Sequence, residues 1–176
     1  MDRNTKESKI ASPKVLTIYF SHSGNTQKIA DHIHKQMGGD IVEILAVDPY
    51  PNDYNAVVEL AKQEWKSGYR PALKTKVKNI DSYDVIFVGS PNWCNTIAPP
   101  VKTFLTEYDL SGKSIAPFIT HAGSGMGRSV TDIAKLCPES NILDGLAVWG
   151  DSANTAQNEV SEWLLELGMG NQRLTP

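Results

Sequence analysis

The sequence predicts an α/β domain: one parallel sheet with helices packed on both faces. Three observations point there. Five short apolar or β-branched runs alternate with five stretches of helical spacing, which is the pattern of repeated right-handed crossovers. No repeat, low-complexity block or linker interrupts the alternation. The polar, glycine-bearing loops follow the first, third and fourth strands, so all three fall at the carboxyl edge of the sheet, where open α/β folds bind ligands. At 176 residues with 40% hydrophobic content, the chain suits a single domain with a substantial core.

The first strand is Lys14 to Phe20, dense in β-branched and aromatic residues. Ser21-His22-Ser23-Gly24-Asn25-Thr26 follows, and then a helix to Met37 with Ile29, Ala30, Ile33 and Met37 on one face. Gly38-Gly39 ends that helix, and Asp40 to Leu45 is the second strand. Asp48-Pro49-Tyr50-Pro51-Asn52-Asp53 is a turn-rich loop. A second helix runs from about Tyr54 to Ser67, with Val57, Val58, Ala61 and Trp65 on its apolar face. Gly68 to Asn79 is irregular and basic, a solvated connection. Val85 to Val88 is wholly apolar, as a central parallel strand should be, and Gly89 to Thr96 is its loop. A third helix opens on Pro99-Pro100, since first-turn N–H groups need no helical partner, and buries Val101, Phe104, Leu105 and Tyr108. Ser114 to Thr120 is the fourth strand, followed by the glycine-rich His121 to Gly127. Val130, Ile133, Ala134 and Cys137 mark the fourth helix. A fifth strand, Ile142 to Val148, and a helix with Ala156, Val160, Trp163, Leu164 and Leu167 complete the pattern.

Composition excludes several classes. A net charge of −3 provides no basic footprint for nucleic acid, and no apolar run approaches the ~20 residues that span a bilayer. Met1 to Ser12 is polar, lacks the apolar segment of a signal peptide, and is expected to be a flexible tail ahead of a domain over 13–176. Cys94 and Cys137 make neither a disulfide framework nor a metal pair, so a cytoplasmic location is expected. His32 and His34 lie two apart on a helix and cannot share a metal. No G-x-x-x-x-G-K-[ST] occurs, Gly123-x-Gly125-x-Gly127 is not a dinucleotide fingerprint, and a G-x-S-x-G elbow fails at Ala122. What remains is a monophosphate on a flat polycyclic group. The first loop, at a helix start, suits the phosphate. Trp93 offers a π-face, and the glycine-rich loop lets backbone N–H groups approach a ring.

With these residues in place, the chain resembles the flavodoxin family from about Val15 to Gly168. Tyr19 to Thr26 is similar to that family's FMN phosphate loop, Pro91-Asn92-Trp93 to its ring-stacking loop, and Thr120 to Gly127 to its third loop. Asp48-Pro49-Tyr50-Pro51 with Asp53-Tyr54, and Trp163-Leu164, resemble one branch of it. The resemblance implies a three-layer α/β/α sandwich with strand order 2-1-3-4-5 and FMN as cofactor. It implies cofactor contacts from Ser21, His22, Ser23, Gly24, Asn25 and Thr26 in the first loop. The second loop would add Pro91, Asn92, Trp93, Cys94 and Asn95, and the third Thr120, His121, Ala122, Gly123, Ser124, Gly125 and Gly127. Cys94-Asn95 departs from the aromatic or glycine residues usual there. No residue is assigned to catalysis or to a metal.

The phosphate loop carries no lysine or arginine, so oriented dipoles with side-chain and backbone donors of Ser21, Ser23, Asn25 and Thr26 would meet the phosphate charge. His22 either stacks or faces solvent. Trp65 and Trp163 are expected in the core and Trp149 outside the site, while His121 is expected near the ring. Cys94 lacks a nearby resolving cysteine and is expected to be inert. Neither ring loop holds Asp or Glu, and His121 and Arg128 add positive charge, so a less negative second reduction step is expected than in acidic relatives. A very low potential in a redox titration would overturn that hypothesis. The implied function is a one-electron carrier between redox partner proteins, as a monomer or weak dimer. The alternatives are an NAD(P)H-dependent FMN reductase of a small quinone-like acceptor and a non-catalytic flavin-binding module.

Overall fold

The structure, a computed structural model, describes residues 12–170; the expected tail lies outside them except for Ser12. In chain order the elements are β1 (Val15–Tyr19), α1 (Asn25–Met37), β2 (Asp40–Glu43), α2 (Tyr54–Ser67), β3 (Val85–Trp93), β4 (Thr96–Ile97), α3 (Pro99–Glu107), β5 (Ser114–His121), α4 (Ser129–Leu136), β6 (Asn141–Ile142), β7 (Leu146–Trp149) and α5 (Gln157–Glu166). Short 3-10 turns occupy Ile80–Ser82 and Gly150–Thr155.

The sheet runs β2-β1-β3-β5-β6, all parallel, with β7 pairing β5 beyond β6. In terms of the five predicted strands this is the order 2-1-3-4-5, and two details differ. The predicted fifth strand is split: β6 pairs the start of β5 and β7 its end, with Asp144-Gly145 between them. The predicted loop after Val88 is extended backbone up to Trp93, where the chain reverses and pairs antiparallel with β4. Cys94 and Asn95 are the two residues of that turn, at φ 56° and 69°. Two successive positive φ values define the tight hairpin turn whose twist matches its strands. The departure noted in the sequence is thus a hairpin tip, and Pro91 did not prevent extension because residues there sit at the sheet's rim.

Alternation in β1 and β3 sends side chains to both faces, as a doubly covered sheet requires. Leu16, Ile18, Ile86, Val88, Ile115 and Ile119 pack with Val101, Phe104 and Ile133 on one face. Val15, Val85, Phe87, Ala116 and Phe118 pack with Ile29, Ile33, Val160, Trp163 and Leu164 on the other. Each large apolar side chain so buried contributes about 1.5–3 kcal/mol. Tyr108, predicted on α3, lies just past its end, where its hydroxyl accepts from the Val77 amide at 2.9 Å. Among the described residues no helix is long and apolar enough to cross a membrane.

Candidate functional site

The first loop is folded by its own serine. Ser21 Oγ accepts from the amides of Gly24 (3.1 Å) and Gln27 (3.3 Å), which leaves its proton free to donate outward. Gly24, at φ 92°, turns the chain into α1. The amides of Asn25 and Thr26 find no acceptor among the described residues and lie at the positive end of a 13-residue helix. Thr26 is buried, and its hydroxyl shares a 2.7 Å hydrogen bond with that of Thr120, which ties the helix start to the end of β5. Ser23 and Asn25 open onto a cavity; the hydroxyl of Thr26 is committed beneath it.

The second and third loops hold each other. Asn92 Nδ2 donates to the Gly125 carbonyl at 2.8 Å, and the Arg128 amide donates to the Asn95 carbonyl at 2.7 Å. Gly127 has φ 54°, and a Cβ there would overlap the Asn95 carbonyl oxygen, so only glycine fits. Thr120, His121 and Ala122 line the cavity, while Gly123 to Gly127 leads away from it to buttress the hairpin. His121 Nδ1 accepts from the Gly123 amide at 3.0 Å, which fixes the neutral ring as the Nε2–H tautomer.

The cavity measures about 530 Å³, within the usual range for small-molecule sites. Pro91, Asn92, Trp93 and Cys94 form one part of its wall, and His22 contributes from the first loop. His22 does not simply face solvent: Nε2 donates to the Pro51 carbonyl at 2.9 Å, and its ring meets Trp93 edge-on at 5.7 Å. Trp93 also packs at a steep angle against Phe20 (5.3 Å) and Tyr50 (5.0 Å). Behind it, the Tyr50 hydroxyl donates to Glu64 Oε2 at 2.6 Å. Burial first, then that bond, pushes the Tyr50 phenol well above its ordinary value, so it remains a donor.

Sequence reasoning missed the opposite wall. Tyr54, Val57, Val58, Ala61 and Lys62 of α2 line the cavity, and so do Trp149, Gly150 and Asp151. Trp149, expected outside the site, stands 48% exposed at its rim with His121 edge-on at 5.4 Å. The signal was present: β7 is parallel to β5, so its end falls at the same edge as the three loops. Trp163 is buried as expected; Trp65 is half-buried, donating to the Ile97 carbonyl at 3.2 Å. Asp151 and Lys62 bring one carboxylate and one ammonium to the cavity, and Arg128 lies 3.9 Å from Asp132. Asp151 and Asp132 both lie outside the two ring loops, which themselves hold no Asp or Glu. Cys94 is exposed as a residue, yet its side chain sits against the wall; that desolvation pushes the thiol up, with Lys62 and Arg128 opposing. Among the described residues no group of three His, Cys, Asp or Glu could hold a metal.

An anion-accepting helix start thus opens into one end of an aromatic and aliphatic slot, an arrangement for a flat ligand with an acidic tail. The family model for flavodoxin matches residues 14–167. The chain belongs to the flavodoxin family. Among solved structures, a candidate flavoprotein from Bacteroides eggerthii is 32% identical (TM-score 0.79), covering 89% of this chain and 99% of its own. A flavoprotein from Lactobacillus acidophilus, solved in complex with FMN, is 26% identical (TM-score 0.68), covering 86% and 99% respectively. A WrbA-like flavodoxin from Agrobacterium tumefaciens shares the fold at 13% identity (TM-score 0.56), covering 91% of this chain and 100% of its own. No curated protein matches. The flavodoxin fold accounts for the sheet order and for the placing of all three loops at one edge.

Proposed function

We propose that this flavodoxin-family chain binds FMN at the described cavity and carries electrons singly between a reductase and an acceptor protein. The observation that carries the reading is the placing of the unpaired Asn25 and Thr26 amides at the end of a slot walled by Trp93. A phosphate fits those donors together with Ser21 and Ser23, and no lysine or arginine in the loop is needed. A flat ring fits between the Pro91–Cys94 wall, His121 and α2. The Lactobacillus acidophilus complex supports the choice of FMN. When bound, FMN would supply the electron chemistry.

The chain's own residues would do the rest. Ser21, His22, Ser23, Gly24, Asn25 and Thr26 would orient the phosphate end, and Trp93 would exclude water from one side of the ring. Pro91, Asn92, Cys94 and Asn95 would give the hairpin its shape. Thr120, His121 and Ala122 would close the inner side, with His121 offering Nε2–H as a donor, and Gly123, Ser124, Gly125 and Gly127 would hold the hairpin in place. Tyr54 and Trp149, both exposed at the rim, provide an aromatic margin against which a partner could seat.

A second reading is favoured by one feature, the aliphatic face of Val57, Val58 and Ala61. It would let a small quinone-like acceptor lie over the ring, with NAD(P)H as donor. Steady-state NAD(P)H oxidation by the FMN-loaded protein in the presence of a quinone separates the two. Absence of turnover, with electron exchange through an added flavodoxin reductase, is expected for the carrier. Sustained turnover without a reductase would replace it with the enzyme.

A further inference from the structure

The segment Asp48-Pro49-Tyr50-Pro51 and the carboxyl of Glu64 line no part of the cavity, yet they converge directly behind Trp93. Glu64 stands on the inner stripe of α2, after Val57 and Ala61, and is only 8% exposed. A carboxylate on a buried stripe is unfavourable unless its oxygens are partnered. Its partner is the Tyr50 hydroxyl at 2.6 Å, the short distance of a charge-assisted bond. The Tyr50 ring in turn meets Trp93 at 5.0 Å and 73°, an edge-to-face contact that depends on angle as well as distance. The next residue is anchored too: the Pro51 carbonyl accepts from His22, whose own ring lies edge-on to Trp93 at 70°. Phe20 makes the third such contact, at 83°. The indole therefore makes three near-perpendicular ring contacts, and two of the three rings are fixed by bonds to or from the Tyr50–Pro51 segment.

We infer that Glu64 is a positioning residue: it holds the Tyr50 hydroxyl and, through the Tyr50 ring, fixes the angle at which Trp93 faces the cavity. A leucine at this site would satisfy the apolar stripe as well as or better than glutamate. What a leucine cannot do is accept the hydroxyl that keeps Tyr50 in place. The Tyr50–Pro51 segment thus joins the inside of α2 to the strand-end loops, with Trp93 at the junction. This inference rests on the flavin reading above only in its affinity arm; its spectroscopic arm needs no flavin.

The test compares wild type with Glu64→Leu, Glu64→Gln and Tyr50→Phe, each also in a Trp93→Ala background. In FMN-free protein, the Trp93 contribution to near-ultraviolet circular dichroism is isolated by subtracting the spectrum of Trp93→Phe. Glu64→Leu and Tyr50→Phe are expected to lose about a third or more of that contribution, since one of three orienting ring contacts is freed. Glu64→Gln, which keeps an acceptor for the hydroxyl, is expected to retain it. In FMN titrations the first two variants are expected to bind about three- to tenfold more weakly, the range of one lost hydrogen bond. In the Trp93→Ala background that penalty is expected to fall below about twofold, because coupled positions are non-additive. An unchanged Trp93 signal in both Glu64→Leu and Tyr50→Phe, or an equal affinity penalty with the indole absent, would overturn the inference. Should wild type take up no FMN, the flavin reading falls, and the dichroism alone decides this one. Tyr50→Phe removes a single oxygen and serves if Glu64→Leu does not fold.

Discussion

One wall of the cavity is made of strand ends and the other of a helix, and they are held by different kinds of bond. The strand-end wall is laced by backbone and buried hydroxyls: Thr26 to Thr120, Asn92 to Gly125, Arg128 to Asn95. The α2 wall rests on Val57 and Ala61, on the Trp65 to Ile97 bond, and on the Tyr50–Glu64 pair. The first can hold a ligand in a fixed pose because its loops are tied to one another and to the strand ends. The second meets the strand ends through side chains, Trp65 to the Ile97 carbonyl and Glu64 through Tyr50 to Trp93. On the reading proposed above, the strand-end loops hold the ligand and the helix covers it.

The largest effect is expected from breaking the strand-end wall at Gly127. A valine there combines a β-branched residue at φ 54° with overlap of the Asn95 carbonyl, and about 2–4 kcal/mol of stability should be lost in denaturant unfolding. Next comes Thr26→Val, which leaves the buried Thr120 hydroxyl unpartnered and should cost about 1–3 kcal/mol. Adding Thr120→Val should recover much of that loss; a double variant as unstable as the sum of its parts would show that the two hydroxyls are not coupled.

The helix wall is expected to respond locally. Asp53 Oδ1 caps α2 by accepting from the Ala56 amide at 2.8 Å, and Asp53→Ala should cost about 1 kcal/mol. Hydrogen exchange should quicken in the first turn of α2 while the amides of α1 keep their protection. Equal acceleration in both would erase the distinction between the walls. The smallest effect is pH-dependent. Burial holds the Glu64 carboxyl above its ordinary range, with the Tyr50 bond drawing it partway back. A carboxyl raised on folding stabilises fully below its unfolded pKa, and that contribution is lost as pH climbs through the folded value. Wild type should therefore lose slightly more stability than Glu64→Gln over that window; parallel curves would contradict it.

The same division explains what could be read in the sequence. The strand-end loops were legible because hydroxyls, amides and glycines between an apolar run and a helical stripe have few other uses. Helix α2 was visible as a helix, but its stripe serves two purposes. Val57 and Ala61 are buried in the fold yet touch the cavity, Val58 and Lys62 flank them, and helical periodicity cannot separate core from ligand wall. The hairpin was hidden because Cys94-Asn95 lacks the Asn-Gly signature, although both residues adopt its backbone. The place of Trp149 was hidden because the edge strand is short and split, so the apolar run does not mark where its end falls.

The most direct test of the central claim is a pair of titrations, FMN and riboflavin, followed by flavin fluorescence and absorbance. The two ligands differ only in the phosphate assigned to the start of α1. FMN is expected to bind at micromolar concentration or below, and riboflavin at least about tenfold more weakly, as befits the loss of charge-assisted bonds to backbone amides. Equal affinity for the two, or no association of either, would contradict it.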